Sequence, residues 1–127
     1  MRREELLLVD IVEQTDLIAE VLRDNDRSDL LEDRVIQSAL LMMLLMIGEA
    51  SRRLPDGFRE RHGEVPWTDI IRFLNLALHT YERLDFAEVW RIAAEDVPPV
   101  REAVLGILQT EYPLVAEALE QHNGEER

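Results

Sequence analysis

"ALLMMLLMIG", residues 39–48, decides the fold. It is apolar on every face of a helix, so a helix built on it is surrounded by protein rather than laid on a surface. Nine consecutive apolar residues, Ala39 to Ile47, are the longest such run in the chain. A membrane span needs about 20, so this stretch reads as a core helix. In a chain of 127 residues, burial on all sides also points to a second subunit covering one of them.

Working outward, Asp29 and Glu32 have the spacing of a capping box. The core helix is therefore expected to start near Asp29 and to stop near Leu54, before "PDG" (55–57). Upstream, Leu6, Val9, Leu17, Val21 and Leu22 recur at helical spacings, predicting an amphipathic helix over 3–23 that "DNDRSD" (24–29) breaks. Downstream, "FRERHG" (58–63) predicts a short helix closed by Gly63. Pro66 suits the opening of a third long helix, over 66–81. "ERLD" (82–85) reads as a turn and Phe86 to Glu95 as a helix. Asp96 is expected to cap another, with Pro98 in its first turn, and Pro113 opens a last one. The expectation is an all-α bundle of four to five helices in one domain, residues 1–121, with a frayed tail over 122–127.

Net charge is −13, from 27 acids and 14 bases. Such a balance opposes loose binding to nucleic acid and favours a basic protein partner. There is no cysteine, so no disulfide and no thiolate nucleophile, which suits a cytoplasmic protein. Charges break up the N-terminal segment, so no secretory leader is expected. The three histidines, His62, His79 and His122, lack metal-ligand spacing. No metal or other cofactor is expected.

The third helix carries "RFLNLALHTY", residues 72–81. At about 100° per residue, Arg72, Asn75 and His79 form one polar stripe, with Ile70, Leu74, Ala77, Leu78 and Tyr81 opposite. On residue chemistry alone the stripe reads either as a solvated helix face or as a phosphodiester site. In the second reading a histidine moves a proton near neutral pH. The arginine holds the phosphate, the asparagine orients either, and the site attacks RNA through the ribose 2′-hydroxyl without metal.

Residues 31–100 resemble the HepT-like branch of the HEPN superfamily. Four marks carry the resemblance in order: "IGEASRRL" (47–54), "VPWTDII" (65–71), "N…HTY" (75–81) and "D…VWRIAAEDVP" (85–98). The resemblance implies an all-α bundle that dimerises with its cleft at the interface. It implies a metal-independent RNase, the toxin of a toxin–antitoxin pair, silenced by a minimal nucleotidyltransferase that adds AMP to the tyrosine of His-x-Tyr, here Tyr81. Arg72, Asn75 and His79 become the expected catalytic residues, and Glu49 a possible support of the cleft. The chain departs from the pattern at one position. The family's arginine usually stands directly before the asparagine, where this chain has Leu74. Either Arg72 substitutes, or Arg52, Arg53 or Arg83 acts across an interface, or the chain is a degenerate subunit that binds or regulates the nucleotidyltransferase. Tyr81 falls on the apolar side of an ideal helix; an end of the helix near Thr80 would turn it out to solvent.

Overall fold

The structure, a computed structural model, describes residues 3–125, with side chains through residue 122. No strand occurs among the described residues. The helices are α1 (Arg3–Asp24), α2 (Arg27–Glu32), α3 (Arg34–Arg53), α4 (Asp56–Arg61), α5 (Trp67–Thr80), α6 (Phe86–Arg91), α7 (Val97–Glu111) and α8 (Pro113–Glu125). The expected tail thus begins inside α8, and residues 126–127 lie outside the described residues.

α3 is the hub, packed between α1 and α5. By length and hydropathy it could cross a membrane. Its core face is Leu40, Leu44, Ile47, Gly48, Ala50 and Ser51. Burial on all sides is not observed within the protomer: Met42 and Met46 are exposed. The α1 stripe is also out of phase with expectation. Leu6 and Leu17 are exposed, and Leu7, Leu8, Ile11, Val12, Thr15 and Ile18 are buried. The run Leu6–Val9 offers two apolar faces, and only contact with α3 and α7 selects one.

The helix expected from Asp29 to Leu54 divides in two. Asp26, not Asp29, caps α2: its carboxylate accepts from the Asp29 N–H at 2.9 Å, and Asp29 Oδ2 accepts from the Asp26 N–H at 2.8 Å. The capping box is present one turn earlier than expected. Asp33 ends α2 in extended backbone and caps α3 by accepting from the Val35 N–H at 2.9 Å.

Asp96 does not cap a helix. It is itself helical, and residues Ile92–Asp96 form a π-helical turn that joins α6 to α7 in one path. Pro98 and Pro99 lack N–H groups, and a proline ring crowds the carbonyl four residues back. The chain widens by one residue just before them, and the Val97 N–H bonds Ile92 O, five residues back.

Candidate active site

α5 is positioned from its first residue. The Trp67 ring is buried, and its indole N–H donates to His62 O at 2.9 Å. Leu74 and Ala77 complete the buried stripe. α5 has one major neighbour, α3, and a single helix covers only a narrow strip of another. This accounts for two corrections to the expected apolar face: Leu78 and Tyr81 are exposed, as is Leu76.

The polar stripe is present as expected, with Arg72, Asn75 and His79 all exposed on α5. His79 Nδ1 lies 2.7 Å from the Asn75 carbonyl oxygen. A carbonyl only accepts, so in the neutral ring Nδ1 carries the proton and Nε2 keeps its lone pair. One nitrogen holds the ring still and the other is left to exchange a proton.

Arg72 is not turned toward His79. The two residues are seven positions apart, about 10 Å along the axis. Arg72 Nη1 instead meets Asp69 Oδ1 at 3.3 Å, toward the N-terminal end of α5. Both side chains are more than two-thirds exposed, so the pair is worth about 0.2–1 kcal/mol and an anion can displace it. Arg52 is held on α3 by Glu49, with Nη2 2.8 Å from Oε1 and 2.9 Å from Oε2. That bond also occupies the Glu49 carboxylate on the helix surface. Arg53 and Arg83 are exposed and make no ion pair among the described residues. Arg83 ends the 3₁₀ turn Tyr81–Arg83 that follows α5 directly, four residues beyond His79.

Leu74 is 3% exposed and lies against Gly48 of α3. A side chain at position 74 is therefore directed into the protomer, away from the stripe. α5 ends at Thr80, and Tyr81 opens the 3₁₀ turn with its side chain in solvent, 62% exposed. The phenol is reachable, and it is not a core residue.

A cleft of about 730 Å³ lies beside the stripe, lined from α3, α5, α6, the π turn and α7. Arg72 stands on its rim, whereas Asn75, His79 and Glu49 do not line it. α6 and the π turn bring Glu88, Glu95 and Asp96 to this cleft; helical periodicity carries no signal for such a grouping, and of the three only Asp96 is expected to have a role, as a cap. His62 is engaged elsewhere. Its ring packs at a 45° tilt against Phe58 with centroids 4.5 Å apart, and its Nε2 lies 2.5 Å from Glu111 Oε2 at the end of α7. No group of three or more metal-ligating side chains occurs among the described residues.

The sequence matches the family described as "Ribonuclease HepT-like" over residues 11–107, a span that contains α3, α5 and the whole polar stripe.

The chain belongs to the HepT-like ribonuclease family.

Among curated relatives, the HepT-like chain is 34% identical over 97 residues to "Putative RNase MJ1380" of Methanocaldococcus jannaschii, covering 76% of this chain and 89% of that one. It is 35% identical over 94 residues to "Probable ribonuclease HepT" of Thermococcus cleftensis, covering 74% and 86%. No solved structure matches it significantly. The all-α bundle is the fold expected of a HepT-like chain, and the family supports a ribonuclease function.

Proposed function

We propose that this HepT-like chain is a metal-independent RNase and the toxin half of a toxin–antitoxin pair in the cytoplasm. The observation that carries the chemistry is the bond from His79 Nδ1 to the Asn75 carbonyl. Nε2 takes the proton of a ribose 2′-hydroxyl. The 2′ oxygen then attacks the adjacent phosphorus, the bond to the 5′ oxygen breaks, and that oxygen leaves with a proton from the imidazolium or from water. The products are a 2′,3′-cyclic phosphate and a 5′-hydroxyl. Arg72, released from Asp69, offsets the charge on the phosphorane oxygens. The Asn75 amide orients the substrate.

The working unit in this reading is a homodimer. Met42 and Met46 on α3, with Leu78 on the adjoining α5 and Tyr81 in the turn that follows it, are large apolar side chains left in solvent by the protomer, as an interface between copies would be. A second protomer also offers Arg83 to the partner's His79. The antitoxin is a minimal nucleotidyltransferase. Its transfer of AMP joins the Tyr81 oxygen to the α-phosphorus of ATP, and pyrophosphate leaves. The diester adds bulk and a negative charge two residues from His79, which repels an RNA phosphate.

A second reading is favoured by one observation. Leu74 occupies the usual arginine position and is buried on Gly48, so the chain can instead serve as an inactive subunit that binds the nucleotidyltransferase. One assay separates the two. Single-stranded RNA is incubated in EDTA with wild type, His79→Ala and Arg72→Ala. Cleavage by wild type that falls about a hundredfold or more in His79→Ala supports the RNase reading. Equal cleavage by wild type and His79→Ala, or none by either, removes it.

A further inference from the structure

The cleft beside α5 takes no part in the proton chemistry assigned to His79. Its floor is apolar, built from Leu44, Ile47, Phe73, Ile92 and Val100. Its rim is acidic: Glu64, Asp69, Asp85, Glu88, Glu95 and Asp96 stand against only Arg72 and Arg91. Both arginines are already held by rim carboxylates, Arg72 by Asp69 at 3.3 Å and Arg91 by Asp96 at 3.2 Å and by Glu88. A surplus of negative charge therefore surrounds an apolar trough. This repels an RNA backbone. It complements the reverse pattern, an apolar ridge flanked by cations.

We propose that this cleft docks an amphipathic, basic helical segment of a protein partner. Apolar residues on one face of that segment enter the trough between α5 and the π turn, and its lysines or arginines meet the carboxylates of the rim. The cleft volume of about 730 Å³ takes a few side chains of such a ridge. The net charge of −13 attracts a cationic segment at long range. Asp69 is both a rim residue and the partner of Arg72, so a cation docked at Asp69 releases the Arg72 guanidinium. The proposal concerns binding alone, and it stands or falls apart from RNA cleavage.

The test uses the ¹⁵N-labelled full chain and two synthetic amphipathic peptides with the same apolar ridge, one flanked by lysines and one by glutamates. The lysine peptide is expected to shift the amide resonances of residues 70–76 and 89–97, and to weaken at least about tenfold between low and high salt. The glutamate peptide is expected to leave them in place. Glu64→Lys with Glu95→Lys, which leaves four acids facing four bases on the rim, abolishes that preference. Leu76→Gln, an exposed lining residue, weakens the lysine peptide several-fold at unchanged circular dichroism. The proposal is overturned if neither peptide perturbs the cleft, or if both bind alike whatever the rim charge. It is also overturned if an RNA oligonucleotide shifts the resonances of residues 89–97, which carry no part of the His79 stripe, or if Leu76→Gln splits a dimer into monomers in sedimentation, which would assign the cleft to a second copy of the chain.

Discussion

Gly48 and Leu74 set how closely α3 and α5 approach. A Cβ on Gly48 would stand 2.7 Å from Leu74 Cβ and 3.3 Å from its Cγ, inside the contact distance of two carbons. Gly48→Ala is expected to cost about 1–3 kcal/mol through overpacking, read from urea unfolding. Leu74→Ala should not rescue it, because the nearest obstructing atom is Cβ itself. Leu74→Gly should, as a favourable coupling in a double-mutant cycle. A cycle without coupling would mean that the helices separate at no cost.

The same contact changes what restoring the family's arginine would do. Position 74 is 3% exposed, so Leu74→Arg places a guanidinium in the α3–α5 seam. The expected result is destabilisation by about 3–5 kcal/mol, as for an uncompensated buried charge, and no gain of RNase activity. A thermal melt checks the first part. A folded, newly active Leu74→Arg protein would contradict both.

Arg72 and Arg83 are separable by mutation. If Arg72 is the phosphate clamp, Arg72→Ala lowers kcat about a hundredfold to a thousandfold, and Arg83→Ala changes it little. Asp69→Asn, which loosens the ion pair holding Arg72, should leave kcat intact or raise it. The reverse ranking of the two arginines would move the clamp to Arg83 and to a dimer that shares its sites.

Asp26 gives the α2 cap a pH dependence. The Ser28 hydroxyl and the Asp29 N–H both donate to its carboxylate, the Ser28 bond being the larger cause, and hold its pKa below the ordinary carboxylate value of 3.8. The charged form is the one favoured by folding. Its contribution is therefore present above the unfolded pKa and is lost as pH falls through the lowered folded value. Asp26→Ala should reduce Tm at pH 7 and leave a smaller difference from wild type near pH 2. An equal loss at both pH values would count against the cap.

The helix starts at Asp85 and Pro113, the end of the core helix at Leu54 and the stripe on α5 were legible in the sequence, because each rests on contacts within one turn. What was not legible depends on neighbours. The face of α1 was ambiguous, since Leu6, Leu7 and Leu8 follow one another and packing alone chooses among them. Leu78 and Tyr81 are apolar enough for a core but lie beyond the strip that α3 covers. The π turn at 92–96 comes just before two adjacent prolines, where Asp96 and Pro98 suggest a capped helix start instead. Arg72 lay on the expected side of α5, but its partnership with Asp69 is a choice of rotamer that helical periodicity does not express.

The bond from His79 to residue 75 runs to a main-chain oxygen. Every amino acid supplies that oxygen, so the proton-bearing nitrogen of the imidazole is chosen by the helix and not by the residue type at position 75. Substitution can remove the Asn75 amide without touching this choice, whereas any event that unwinds the last turn of α5 releases the ring at once. Proton transfer at His79 is thereby tied to the integrity of a helix end that carries Tyr81 as its next residue.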